Sequence, residues 1–558
     1  MSKKSNRLTR REFLKLGGAA AGLATLAACQ PTPAPAPTAA PAATQAPAQP
    51  PTATPVPKPT DTPVPKGPKK GGRMTWALNQ AVDHVIPFGG VSTANHWGKE
   101  FMYDSLVEWD KDLNVKPALA ESWTTPDEKT WIWKLKQGVK FHNGDEVTAE
   151  DVKYSIELQA NPPAPGIKIA QYPSIVSVDV VDKYTAKFNM KGPDPTVLGY
   201  LAWARYSSII PKNAYDRWNL LTTGVGTGPF KIVEYVQNDR IVYQRNPDFW
   251  KKDLPYLDEL VLKVLPDENA AVAALRSGAI DGCRVSADTA KTLKNDPNIV
   301  ILKGLFSAPR VLQFTIKGEG KPWENKKVRQ AMSMAINREE LIEKVYGGEA
   351  VLSGPIPPGY GDWFIPPEEL KSKWLKYDLD TAKKLMAEAG YKDGFKIVLH
   401  AISVPVEYTN NAQIVKEQLK ALNIEVEVIS EEIGTFAKRV GDGTYEWCAT
   451  GRGMRHDPCG YLVDWGRPNA GAAAKWFNEG KGWKNDEISD LYEKALVNLD
   501  SASRHQQVRR IQELVLEEAP HIYLCQPYNF HAVRSYVKDM YVAFTDFHTG
   551  LRTVWLDK

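Results

Sequence analysis

Sulfur is scarce in this chain: 558 residues hold five cysteines, none in a C-x-x-C pair and none accompanied by histidines at zinc-ligand spacing. A zinc finger and a dithiol redox centre are thereby excluded. Several enzyme signatures are missing as well, with no G-x-S-x-G elbow, no H-E-x-x-H helix and no G-x-x-x-x-G-K-[ST] phosphate cradle. Nine histidines are scattered rather than clustered, which argues against direct metal ligation. No carboxylate pair is singled out by spacing, so a secreted hydrolase of glycosidase type finds no support beyond the tryptophan content. A membrane span is also lacking near the N-terminus. A span takes about 20 predominantly apolar residues, and Leu16 to Ala28 is a shorter run made mostly of Ala and Gly.

What surrounds that short run is informative. Thr9-Arg10-Arg11-Glu12-Phe13-Leu14-Lys15 precedes it and Leu26-Ala27-Ala28-Cys29 closes it. The twin arginine Arg10-Arg11 resembles the signal of the export route for folded proteins, and Leu-Ala-Ala-Cys resembles a lipobox. Residues 1–28 therefore read as a twin-arginine lipoprotein signal peptide, with Cys29 lipidated as the first residue of the mature chain. Residues 29–70 are almost wholly Pro, Ala and Thr. Such a segment buries too little to offset its ordering entropy and favours extended polyproline II at about 3.1 Å per residue. It reads as a disordered tether that holds a folded domain near a membrane on its extracytoplasmic face, periplasmic or cell-surface.

The net charge of +4 misleads about the folded part. Six basic residues against Glu12 lie in the leader, and four lysines against Asp61 lie in the tether. What remains is mildly acidic, so no nucleic-acid-binding face is implied. Nearly 490 residues exceed what one core usually serves, and two lobes are expected. Gly72 to Leu78 reads as a strand and Trp131 to Leu135 as another. Asn143-Gly144 marks a turn, and Thr148 with Asp151 opens a helix. Asn337 with Glu340 caps a further helix, Asp380 starts the next, and Pro520 stops one running from Ser503. Lys396 to Val404 as strand, Ala412 to Leu422 as helix and Ile424 to Val428 as strand suggest a parallel crossover unit. The class is α/β.

Several stretches in order then carry a family resemblance. They are Leu119-Ala-Glu-Ser-Trp123, Gly138-Val-Lys-Phe-His-Asn-Gly144, Thr148-Ala-Glu-Asp-Val152, Gly226-Thr-Gly-Pro-Phe230, Asn246-Pro-Asp-Phe-Trp250, Val328-Arg-Gln-Ala331, Ala335-Ile-Asn337 and Glu518-Ala-Pro520. Together they resemble the signature of solute-binding family 5, the substrate-binding lipoproteins of peptide/nickel-type ABC transporters. The resemblance implies a type II, cluster C fold of two lobes closing about a hinge, with residues 71–308 and 526–558 in the first lobe and 309–525 in the second. It also implies a monomer with no cofactor, no metal and no enzymatic activity, which delivers solute to a permease and its ATPase.

In peptide-binding relatives a Gly-Trp segment and an acidic residue precede an acid-Pro pair, and that acid holds the peptide's ammonium. Aligning Asp457-Pro458 with the pair places Arg452 and Met454 where the Trp and the acid would stand. Arg452 and Arg455 are thus candidates for a carboxylate or phosphate, or for an internal ion pair with Asp457 or Asp464. His456 and Asp457 are candidates of the same loop, with bracing as the alternative role. Of seventeen tryptophans, Trp123, Trp131 and Trp133 read as core, while Trp97, Trp203, Trp447, Trp465 and Trp476 are candidates to line the cleft. The solute stays open between a peptide-like molecule and an oligosaccharide or sugar acid. A Cys448–Cys459 disulfide and buried free thiols are both compatible with the sequence.

Overall fold

The computed structural model describes residues 67–88, 93–158, 174–305, 307–451, 453–467, 482–545 and 550–558. The leader with Arg10, Arg11 and Cys29 and nearly all of the tether lie outside these, as do Arg452 and Trp476. Lys66–Lys558 is one compact unit.

A twelve-stranded sheet organises it. In chain order its strands are β1 (Arg73–Leu78), β2 (Phe230–Val236), β3 (Arg240–Arg245), β4 (Glu259–Val264), β5 (Gly282–Val285), β6 (Ile299–Leu305), β7 (Arg310–Phe314), β8 (Ala350–Leu352), β9 (Lys396–Ile402), β10 (Glu425–Glu431), β11 (Trp447–Gly451) and β12 (His521–Arg534). They run β10-β9-β11-β7-β12-β5-β1-β4-β3-β2, and β6 and β8 also pair with β12. β12 belongs to two blocks. Its first half pairs with β7 and β8, from Gln313↔His521 to Ala350↔Pro527. Its second half pairs with β6 and β5, from Leu305↔Tyr528 to Ile299↔Arg534 and from Val285↔Phe530 to Gly282↔Val533.

The period of two along a strand decides which core each side chain joins. On β1, Met74, Trp76 and Leu78 enter one apolar cluster while Ala77 enters another on the opposite face. On β7, Leu312 and Phe314 point into one core and Val311 into a second. Strands covered on both faces need apolar residues at nearly every position, and all five residues of β7 are buried. A separate antiparallel sheet orders Ala120–Asp127, Thr130–Leu135, Thr185–Met190 and Ile175–Asp182.

The local readings of the sequence hold with small shifts. Thr148 precedes the Ala149–Glu157 helix, and the Asp151 carboxylate accepts from the Thr148 amide at 2.8 Å. Asn337 accepts from the Glu340 amide at 3.1 Å. The next helix begins earlier than expected because Asp378, not Asp380, is its cap, accepting from the Thr381 amide at 3.1 Å. β9 and β10 are parallel and joined through the Glu407–Leu419 helix, the expected crossover.

The family-like stretches meet one another in space. Asn246 donates to the Gly228 carbonyl at 3.0 Å, and the His142 amide donates to that of Gly226 at 2.8 Å. Asp104, 2% exposed, accepts from Thr227 and from the Trp250 indole, both at 2.8 Å, and pairs with Arg552 of the C-terminal segment. Arg329, 1% exposed, donates to the carbonyls of Trp323, Glu324, Glu518 and Ala519 at 2.8–3.3 Å. Ala519 ends the Ser501–Glu518 helix in the left-handed region at φ 46°, just before Pro520. These motifs are scaffold: each closes a hydrogen bond that another leaves open.

Candidate functional site

β1 is flanked by β4 and β5, both parallel to it. Parallel strands send their carboxyl ends the same way, and the crevice beyond those ends is where α/β sheets bind ligands. A cavity of about 500 Å³ lies there. On one side it is lined by the strand ends at Leu78–Gln80, Leu265–Pro266 and Arg284–Ala287. On the other it is lined by Arg310 at the start of β7, Tyr346, and Val404, Pro405 and Glu407 beyond β9. Pro527 to Phe530 of β12, where its pairing changes block, complete the wall. The volume falls within the range of about 300–1,000 Å³ usual for small-ligand sites.

Trp76 and Trp97 form one wall, stacked at 5.5 Å between ring centroids and 28° between planes. The imidazole of His531 meets both edge-on, at 5.1 and 6.2 Å. That ring is buried, neither nitrogen has a hydrogen-bond partner, and burial pushes its pKa down to about 3. It is therefore neutral. Trp76 and Trp97 are 1% and 4% exposed, so their faces serve each other rather than standing open as a sugar platform.

The charged groups of the cavity divide by partner. Arg284 donates to Asn529 Oδ1 at 2.8 Å. Glu349 pairs with Lys303 at 2.5 Å, and Glu268 accepts from the amide and hydroxyl of Ser286 at 2.9 and 2.8 Å. Arg310 donates through Nη1 to the Ala308 carbonyl at 2.8 Å, and its guanidinium lies 4.4 Å from the Tyr408 ring centroid. Gly451 pairs with Arg310 across β7 and β11, and a Cβ there would run into the Tyr408 hydroxyl. The missing side chain is what lets Tyr408 cover Arg310.

Of the described candidates from the sequence, Trp97 alone lines this cavity. His456 stacks on Tyr200 at 3.3 Å between ring centroids, and burial pushes its pKa down to about 4, so it carries no charge for an anion at neutral pH. Asp457 forms a buried pair with Arg504 at 2.6 Å and accepts from the Cys459 amide at 2.9 Å. The Arg455 backbone is held at both ends, its amide donating to Tyr461 at 3.2 Å and its carbonyl accepting from Tyr360 at 3.1 Å. Met454 is buried. Trp447 stacks on Phe314, Trp465 meets Trp483 and His521 edge-on, and Trp203 packs against Trp109 and Tyr206. Cys283, Cys448, Cys459 and Cys525 are buried free thiols. Among the described residues no group of His, Cys, Asp or Glu is placed to hold a metal ion, and no helix is long and apolar enough to cross a membrane.

An α/β sheet with a cavity at its strand ends, walled from both blocks, defines a solute receptor of the periplasmic binding protein fold. Residues 114–472, more than half of the chain, match the family described as bacterial extracellular solute-binding proteins, family 5 Middle, and the chain belongs to that family of binding proteins, which are not enzymes. It is similar to the glutathione-binding protein GsiB of Salmonella paratyphi A, 27% identical over 465 residues, which cover 80% of this chain and 87% of that one. It is also similar to the periplasmic binding protein DppA from Helicobacter pylori, solved in complex with the peptide STSA. That match has a TM-score of 0.70 and 27% identity, covering 88% of this chain and 99% of the other. AgaA of A. tumefaciens, solved with agropinic acid, matches with a TM-score of 0.71 and 25% identity, covering 87% and 99%.

Sequence reasoning passed over Arg310, Tyr346, Val404–Pro405 and Glu407. A signal for some of them was available. Gly72 to Leu78 and Lys396 to Val404 both read as strands, and the carboxyl ends of parallel strands are the places to search.

Proposed function

We propose that this chain is the substrate-binding component of an ABC importer, which captures a peptide-like solute in the cavity at the strand ends and passes it to a membrane permease and its ATPase. The observation that carries the reading is the two-sided wall, with Trp76, Trp97 and Arg284 from one block and Arg310, Tyr346 and Glu407 from the other. A solute touching both blocks favours the closed arrangement by its differential affinity for it. The peptide and glutathione ligands of DppA and GsiB support a peptide-like solute here. The internal stacking of Trp76 and Trp97 weighs against a neutral oligosaccharide.

The lobes in this reading are residues 71–308 with 526–558, and 309–525. They hinge where β6 gives way to β7 and where β12 changes partners near Gln526. The change of pairing along β12 supports those crossings. Export through Arg10-Arg11, lipidation at Cys29 and a monomeric tethered receptor complete the proposal, and they rest on the leader and tether sequence.

A thermal-shift comparison of di- to pentapeptides with neutral sugar oligomers tests the solute class. Saturation at about 100 times Kd stabilises a binding protein by about 2.7 kcal/mol, so peptides are expected to raise Tm by several degrees. Stabilisation by the sugars and by none of the peptides overturns the reading.

A further inference from the structure

We infer that the cavity reads a zwitterion, with Arg310 taking the solute's carboxylate and Glu407 its ammonium. The inference rests on the peptide-like reading above and specifies the chemistry of that same site.

Arg310 is 9% exposed, yet no carboxylate pairs with it among the described residues. Its Nη1 is engaged by Ala308, its face by Tyr408 and its guanidinium by the Tyr346 hydroxyl, while Nε has no hydrogen-bond partner. A buried guanidinium is costly unless paired and hydrogen-bonded. Its planar fork of donors fits a carboxylate, which would use the donors that the protein leaves open.

Glu407 is the complementary case. It lines the same cavity from the first turn of the Glu407–Leu419 helix, half-buried, and its carboxylate engages no side chain among the described residues. The other charged groups of the wall are occupied: Arg284 by Asn529, Glu349 by Lys303, and Glu268 by Ser286. One cation and one anion therefore remain for a solute. They come from different elements, and Tyr408, the residue after Glu407, is the ring that covers Arg310.

Arg310 opens β7, directly after the passage from β6, and is bonded to the backbone of Ala308 in that passage. A carboxylate held by Arg310 would be anchored at one of the crossings proposed as the hinge.

The test is titration calorimetry on the full chain. The strongest binder from a di- to pentapeptide library is compared with its C-terminal amide and its N-acetyl form, beside galacturonic acid and maltotriose. Amidation and acetylation are each expected to weaken binding by at least about tenfold, as loss of one partner of a buried charge pair does. Arg310→Gln should abolish the preference for acid over amide and keep the preference for free amine over acetyl; Glu407→Gln should do the reverse. Should a variant fail to fold, the comparison of blocked peptides on the unaltered chain decides. Peptides that bind equally well when blocked overturn this inference and leave the peptide-like reading standing. Galacturonic acid bound in an Arg310-dependent way, with no peptide bound, overturns that reading and the role of Glu407 while keeping that of Arg310. Binding of maltotriose alone, or of nothing in the panel, overturns both.

Discussion

Arg329 and Arg310 are near neighbours in sequence and both are buried, yet the molecule uses them in opposite ways. Arg329 gives its donors to four backbone carbonyls, two in the turn that starts its helix and two at the end of the Ser501–Glu518 helix. Burial pushes its pKa down to about 10, still well above neutrality, and nothing about it is left for a solute. Arg310 has one backbone acceptor, one tyrosine hydroxyl, one aromatic ring and an unpartnered Nε, and it lines a cavity. A guanidinium saturated by main chain is a tie between elements. One left partly open at a cavity is a receptor group. The same comparison separates the motif-bearing regions, which are closed networks, from the strand ends, which are not.

Substitutions in the closed networks should cost the most stability. Arg329→Met removes its donors from four carbonyls, two on buried and two on half-buried residues, and a buried one left unsatisfied costs about 1–3 kcal/mol. Urea unfolding should therefore show a loss of roughly 3 kcal/mol or more. Asp104→Ala belongs to the same class, since it strands buried Arg552, and a loss of about 3–5 kcal/mol is expected. Arg310→Gln should cost about 1–2 kcal/mol in the ligand-free chain, the worth of its bonds to Ala308 and Tyr346. A loss as large as that of Arg329→Met would make Arg310 a tie as well.

Gly451→Ala acts on Arg310 from the neighbouring strand. The added methyl must displace Tyr408 from over Arg310, with a cost of about 1–3 kcal/mol as in other overpacked sites. Ligand affinity should change along with stability, whereas a glycine-to-alanine change at Gly441, where a Cβ meets nothing within 4 Å, should leave affinity unchanged. Calorimetry on the two variants checks this.

The smallest effect is a pH dependence. Burial holds His142 and His456 down to about 4 and His531 to about 3, from an ordinary value of 6.5. All three are neutral in the fold, while the unfolded chain takes up protons once pH drops below about 6.5. Their contribution is intact above that value and is lost as pH falls from 6.5 through about 4 and on to 3. Tm should be flat near pH 7–8 and decline between about pH 6.5 and 4. His456→Gln should reduce the decline, because Gln does not titrate.

Much of the fold was legible because local rules fixed it. Asn337 caps, Pro520 stops a helix, and the alternation from Lys396 to Glu431 gives a parallel crossover. The motif stretches were legible for a related reason: they carry the turns and buried polar groups that hold the scaffold together. The site was not legible in that way. Leu78, Pro266, Val285, Arg310, Pro405, Glu407 and Asn529 come from strand ends spread through the chain, with no shared spacing to mark them. The stretch from Arg452 to Asp457 stands out in the sequence because its residue types depart from the relatives' pattern. In the structure Asp457 is committed to Arg504 and His456 to Tyr200. Trp97 is one of several candidate tryptophans in the sequence, and no property there sets it apart from Trp447 or Trp465.

The most direct measurement is a crystal structure of the chain with its strongest-binding peptide. The peptide is expected in the cavity between Trp97 and Val404, its carboxylate within hydrogen-bond distance of the Arg310 guanidinium and its ammonium against Glu407. A peptide seated elsewhere, with Arg310 still engaged by Ala308, Tyr346 and Tyr408 and by no carboxylate, would contradict it.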